Sequence, residues 1–151
     1  MKYKIIFFFL LSINIVSGNQ RELVDRKTTL AISSDILNGL SDIKKGKLNL
    51  GISKWEKASI FGDEYILTIS NILRELPNSY GKYQGSDFLK IHSLSKAYHK
   101  VFILMRYDKR PIIIQFDTYS SKKDEVYKIA FIKIYKDIHK LIPPELQENA
   151  N

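Results

Sequence analysis

Three apolar runs follow one another between residues 96 and 135, and they constrain the fold more than any other feature of the sequence. They read KAYHKVFILMRY, RPIIIQFDTYS and EVYKIAFIKIY, and all three are rich in the β-branched and aromatic residues that strands favour. The segments between them are too short for a crossover helix, so neighbouring strands must run antiparallel. With a further strand from about Tyr83 to Leu94, the second half of the chain predicts a meander of about four strands.

The first half of the chain has the helical period instead. A long first helix is predicted from Glu22 to about Ile43, and it stops near Gly46. A second, shorter helix begins near Leu48, although Gly51 weakens this prediction because glycine disfavours helix interiors.

The third helix has the clearest signals and spans 62–78. Asp63 is the predicted N-cap, and Pro77 is predicted to end the helix. Its buried stripe consists of Ile66, Ile69, Leu73 and Leu76. A run of helices followed by a run of strands indicates an α+β fold, with the N-terminal helices packed on one face of a roughly four-stranded antiparallel sheet.

The N-terminal residues 1–18 have the three parts of a signal peptide. MKYK is basic, IIFFFLLSINIV is a twelve-residue apolar run, and VSG ends in small residues suited to cleavage after Gly18. Cleavage would leave an exported protein, periplasmic or secreted, that starts at Asn19 and has no stable membrane anchor. The alternative is an uncleaved segment, but twelve apolar residues are too few to span a bilayer.

Length and composition set the remaining limits. The 151 residues suffice for one domain, predicted at 19–140, with a fraying tail at 141–151 that contains Pro143 and Pro144. The formal charge of +8 falls to +6 without Lys2 and Lys4, and the cations alternate with acids. Together with the export signal, this interspersed charge argues against nucleic-acid binding.

Several kinds of chemistry are excluded or disfavoured. The chain contains no cysteine, so disulfides, lipid attachment to a cysteine and thiolate chemistry are impossible. The sequence motifs for phosphate, dinucleotide and zinc-protease sites are absent. His92, His99 and His139 never fall three or four residues apart, so no metal site is expected. Because the cofactor-binding motifs are absent, no cofactor is expected either.

The remaining candidates for chemistry depend on one hairpin. If Asp108 to Arg110 form a three-residue loop, His99 pairs with Tyr119 and Val101 pairs with Asp117. His99, Gln115, Asp117 and Tyr119 would then share one face, together with Ile103, Met105 and Ile113. The opposite face would carry Phe102, Leu104, Ile112, Ile114 and Phe116, and it is the better candidate to lie under the helices.

Two interpretations of this polar group stay open. Asp117 in an apolar pocket could act as a general base, with His99 or Tyr119 assisting proton transfer. Alternatively, the group lies on the outer side of the sheet and has no catalytic role. A loop one residue longer or shorter would separate His99 from Asp117, because each step along a strand reverses the face.

The order of these elements is similar to a known class of proteins. LSDIKKGKL, RELPNSYGKYQG and the hairpin region KVFILMRYDKRPIIIQFDTYSSKKDEVYKIAFI resemble small exported bacterial domains of the NTF2-like, cystatin-like class. The resemblance covers residues 24–136, and Tyr127 stands where members often carry a Trp. It implies a conical pocket between helices and sheet, and frequent pairing of two copies through their sheets.

Two functions follow as expectations. The first is a non-enzymatic binding module for a small apolar ligand or a cell-envelope component, with Gln115, Tyr127 and Phe131 as candidate contacts. A homodimer through the sheet is expected from Ile103, Met105 and Ile113, because these apolar residues lie opposite the predicted core face. The second function is a small cofactor-independent isomerase or lyase that uses Asp117 as its base.

Overall fold

The computed structural model of the protein describes residues 26–121, 126–138 and 143–147. The helices within these ranges are α1 (Arg26–Lys44), α2 (Leu48–Lys57), α3 (Asp63–Tyr80) and α4 (Pro144–Gln147). The strands are β1 (Tyr83–Ser93), β2 (Tyr98–Tyr107), β3 (Ile112–Tyr119) and β4 (Lys128–Tyr135). They form one four-stranded antiparallel sheet in the order β1-β2-β3-β4. The predicted α+β arrangement of helices followed by an antiparallel meander is therefore confirmed.

Some predictions concern residues outside these ranges. They are the signal segment at 1–18, the start of the first helix at Glu22, and His139. Within the tail that was predicted to fray, Pro143 is buried, and its carbonyl oxygen accepts a hydrogen bond from the Leu146 N–H at 2.8 Å. None of the described helices combines the length and the apolar character needed to cross a membrane.

The contact between α1 and α2 depends on two glycines. A Cβ atom at Gly39 would lie 2.1 Å from Nε1 of Trp55, and one at Gly51 would lie 2.5 Å from the Gly39 carbonyl oxygen. The fully buried indole of Trp55 donates its N–H to the Ile36 carbonyl oxygen at 3.2 Å. Its ring meets the ring of Phe116 edge-on, with 4.9 Å between centroids. Gly51 therefore belongs in α2 because only a glycine admits α1 this closely.

Helix α3 differs from its prediction at both ends. The N-cap is Gly62, and Asp63 is instead the first helical residue. Pro77 lies inside the helix, which continues to Tyr80 and ends at Gly81 with a φ of 82°. Tyr80 is buried and donates its hydroxyl to a backbone carbonyl just after β4 at 3.0 Å. This anchoring offsets the hydrogen bond that Pro77 cannot donate, so the helix does not stop there.

The pairing of β2 with β3 is shifted by one residue from the pairing predicted for a three-residue loop. Met105 pairs with Ile112, and the ladder continues in step to Tyr98 opposite Tyr119. The central residues of β2 and β3 that pack against the helices are Val101, Ile103, Met105, Ile112, Ile114 and Phe116. The expectation that Phe102 and Leu104 face the helices is therefore wrong.

The turn between β2 and β3 explains this register. Asp108 is held by Lys82, the residue just before β1, because its N–H donates to the Lys82 carbonyl oxygen at 3.1 Å and its carboxylate accepts the Lys82 N–H at 2.9 Å. The next two residues contact the end of α3. The Lys109 N–H donates to the Tyr80 carbonyl oxygen at 3.0 Å, and the Arg110 guanidinium lies 4.2 Å from the centre of the Tyr80 ring. The turn is thus shaped by its contacts with distant residues.

The register also changes the surface that motivated the predicted homodimer. Ile103 and Met105 are fully buried in the core beneath the helices rather than on the opposite side of the sheet. Ile113 lies on the side away from the helices and is buried as well. Two of the three residues behind that expectation are therefore unable to contact a second copy.

Candidate functional site

The outer face of the sheet, which points away from the helices, carries a chain of hydrogen bonds centred on Asp117. The Tyr135 hydroxyl donates to Oε1 of Gln115 at 2.7 Å. The Gln115 amide in turn donates to Oδ1 of Asp117, and the Tyr98 hydroxyl donates to Oδ2 at 2.6 Å. We refer to these four residues as the Asp117 network.

The strands place these side chains on one face through their alternation. Gln115 and Asp117 are two residues apart in β3, so both point outward. Asp117 lies opposite Lys100 of β2 and Phe131 of β4. Asp117 is 6% exposed and Gln115 is 4% exposed. A carboxylate buried to this degree requires hydrogen-bond partners, and the network supplies one to each of its oxygens.

Charge and burial both act on the Tyr98 hydroxyl. Burial, the hydrogen bond to Asp117 and the negative charge of Asp117 together raise the pKa of Tyr98 to about 12. The phenol therefore stays protonated and donates its hydrogen to the carboxylate throughout the neutral range.

The raised pKa of Tyr98 predicts a loss of stability at alkaline pH. The unfolded chain releases this proton near pH 10 and the folded chain near pH 12, so the folded state binds the extra proton in that window. The stabilisation is complete below pH 10 and is lost as the pH rises to 12. Urea unfolding at neutral pH and at about pH 11 should show a larger loss for the wild type than for Tyr98→Phe. Equal losses in the two proteins would contradict the assignment.

His99 lies on the opposite face of the sheet from Asp117. It pairs with Thr118, one position before the partner predicted for it, and it is 3% exposed on the side of the helices. Its Nδ1 lies 2.8 Å from the Ser93 hydroxyl, and its Nε2 lies 3.3 Å from the Lys96 carbonyl oxygen. The Lys96 carbonyl oxygen can only accept, so Nε2 is the donor in that contact. The predicted grouping of His99 with Gln115, Asp117 and Tyr119 is therefore wrong.

A bulge in β4 moves another candidate residue. Asp117 pairs with Phe131 but Thr118 pairs with Ile129, so Ala130 is an extra residue in β4. Tyr127 consequently lies beside His99, with 5.1 Å between ring centroids, instead of sharing a face with Phe131. The expectation that Tyr127, Phe131 and Tyr135 occupy alternate positions of one strand is wrong for Tyr127.

Two aromatic side chains next to Asp117 remain accessible. Tyr119 follows Asp117 by two residues on β3 and is 40% exposed, and Phe131 lies directly across from Asp117 and is 41% exposed. The ring of Phe131 stacks on Tyr65 of α3 with 5.7 Å between centroids. The Tyr65 hydroxyl in turn bonds to the backbone of Ile132 at the free edge of β4. Phe131 is thus held in place while it faces solvent.

Tyr98 and Tyr135 are the members of the network that sequence reasoning missed. With the observed register, Tyr98 lies two residues before the position opposite Asp117 and on the same face. Tyr135 lies two residues after Lys133, the residue opposite Gln115, and therefore on the same face. The signal was a tyrosine near the end of each flanking strand, but it could be used only with the correct register.

Within the described ranges, no group of three or more histidine or acidic side chains is placed to hold a metal ion. Comparison of the whole chain with family models, with curated proteins and with solved structures gave no match in any of the three.

Proposed function

We propose that this protein is an exported, non-enzymatic binding module of the NTF2-like, cystatin-like class, and that its partner binds to the outer face of the sheet. The observation that carries the proposal is the pair of exposed rings, Tyr119 and Phe131, beside Asp117. Exposed aromatic side chains held on a rigid strand bind apolar surfaces with little loss of conformational freedom.

The state of Asp117 supports binding over catalysis. Each carboxylate oxygen accepts an internal hydrogen bond, one from Gln115 and one from Tyr98. A general base needs to reach a substrate proton, and these two donors would have to be displaced first. We therefore assign Asp117 a structural role, in which its hydrogen bonds fix the surface between the two exposed rings.

The space between helices and sheet is the less suitable place for a ligand. Fully buried side chains of both layers fill it, including Trp55 of α2, Ile36 of α1 and Phe116 of β3. The pocket that the family resemblance implies would require these side chains to move. The outer face needs no such rearrangement, so it is the surface we assign to a small apolar ligand or a cell-envelope component.

Native mass spectrometry of the protein isolated from its own host tests the proposal. We expect a bound adduct on the wild type that is lost from the double variant Tyr119→Ser, Phe131→Ser. The matched control is Phe88→Ser, because Phe88 is similarly exposed but lies on β1 at the other edge of the sheet. An adduct that persists in the double variant, or the absence of any adduct, would count against the outer face.

The enzymatic alternative has its own test. A substrate screen that finds isomerase or lyase turnover, abolished by Asp117→Asn in a protein that remains folded, would replace the binding proposal. We expect no turnover that depends on Asp117.

A further inference from the structure

The corner between α1 and α2 and the exposed side of α2 form a strongly basic surface. Residues 42–57 contain five lysines and two acids. One of these acids, Asp42, is buried and forms an ion pair with Lys54 at 2.5 Å. The hydrogen bond from Lys54 holds the pKa of Asp42 below its usual value. The remaining lysines, at 44, 45, 47 and 57, are exposed.

An apolar side chain lies among these cations. Lys47, Leu50, Lys54 and Lys57 are separated by three, four and three residues, so they follow one stripe of the helix. Leu50 is 47% exposed, while the opposite side of α2 is buried through Ile52 and Trp55. We call the exposed set the lysine surface: Lys44, Lys45, Lys47, Leu50 and Lys57.

The backbone holds the lysine surface in a fixed shape. Gly46 has a φ of 79°, and its N–H donates to the Ile43 carbonyl oxygen at 2.9 Å. The Lys47 N–H donates to the Asp42 carbonyl oxygen at 2.9 Å. This pair of bonds is the Schellman motif, which ends α1 and turns the chain directly into α2. The backbone that carries the cations before and after Gly46 is therefore already ordered.

We propose that the lysine surface docks on a bilayer of anionic phospholipid. The lysine ammonium groups lie at the level of the phosphates, and Leu50 enters the boundary between headgroups and acyl chains. Cations surrounding an exposed apolar side chain match this interface, which offers negative charge directly above hydrocarbon. Nucleic acids and acidic polysaccharides offer the charge without an apolar layer for Leu50. The lysine surface belongs to the helical layer, so the proposal is independent of the outer face of the sheet.

Co-sedimentation with vesicles tests the proposal on the full chain. We compare phosphatidylcholine vesicles with and without phosphatidylglycerol, at low and at raised salt concentration. The triple variant Lys44→Gln, Lys45→Gln, Lys47→Gln should bind the anionic vesicles about tenfold more weakly or worse than the wild type. Leu50→Asn should weaken binding about threefold. The apolar run near the N-terminus is common to all variants, so differences between variants report on the lysine surface.

Matched control variants separate the effect of the lysine surface from the effects of net charge and of exposed apolar side chains in general. A second triple variant removes the same charge from exposed positions elsewhere: Lys82→Gln, Lys109→Gln, Lys128→Gln. Leu67→Asn removes a leucine exposed on α3. Both should bind like the wild type. The proposal is overturned if the control lysines matter as much, if anionic lipid brings no gain, or if heparin binds better than vesicles and Leu50→Asn has no effect.

Discussion

Replacement of Trp55 by alanine is expected to lower the free energy of unfolding by about 3–5 kcal/mol. The indole is fully buried, packs edge-on against Phe116 and donates its N–H to the Ile36 carbonyl oxygen. Its removal leaves a cavity beside the backbone of Gly39, which carries no side chain that could move into it. Urea denaturation followed by circular dichroism measures the loss.

A second substitution distinguishes this packing from a general cost of mutation. Gly39→Ala alone should destabilise by about 1–3 kcal/mol, since its Cβ would overlap the indole. In the Trp55→Ala background the same change should be neutral or stabilising by up to about 1 kcal/mol, because alanine favours the helix and the obstacle is gone. Additive effects of the two substitutions would show that the glycine and the indole do not meet. Leu67→Ala, at an exposed position of α3, should stay within about 0.5 kcal/mol of the wild type.

Replacement of Asp117 by alanine is expected to cost about 2–4 kcal/mol of stability. The substitution removes the acceptor for two donors at once, the Tyr98 hydroxyl and the Gln115 amide. Gln115 is buried, so its amide cannot exchange the lost bond for one to water without exposing the outer face. Chemical denaturation at neutral pH measures the effect.

Asparagine at the same position is the control that identifies the network as the cause. Its amide oxygen can accept the Tyr98 hydroxyl, and its amide nitrogen can donate to Gln115 once the Gln115 amide rotates. The Tyr135 hydroxyl then accepts a hydrogen bond in place of donating one. Asp117→Asn should therefore cost less than about 1.5 kcal/mol. An equal loss for alanine and asparagine would mean that the charge of Asp117, rather than its hydrogen bonds, stabilises the fold.

The helices were predicted well where a local signal decides them. The apolar stripe of α3 and the end of α1 near Gly46 follow from the helical period and from a glycine with positive φ. The end of α3 was missed because the burial of Tyr80, which no local pattern reveals, carries the helix past Pro77. Gly51 was taken as evidence against α2 for the same reason. It is needed there because it lets α1 approach closely, which no local pattern reveals.

The candidate site was predicted in part. Asp117, Gln115 and Tyr119 do share the outer face, because residues two apart in a strand always point the same way. His99 was assigned to the wrong face and Tyr98 was missed, and a single residue of register accounts for both. Tyr127 does not lie on the outer face because of the bulge at Ala130. The pattern of EVYKIAFIKIY does not predict this bulge.

The sequence by itself determined the order of the elements and the antiparallel sheet, since hydrophobic period and short connections are properties of neighbouring residues. Only the tertiary structure decided which side chains meet. The turn at Asp108 is held by Lys82, and the next two residues contact Tyr80, so residues far away in the chain select the register of β2 and β3. That register buries Asp117 between Tyr98 and Gln115 and places His99 beneath the helices, because a shift of one residue reverses the face of every side chain in a strand.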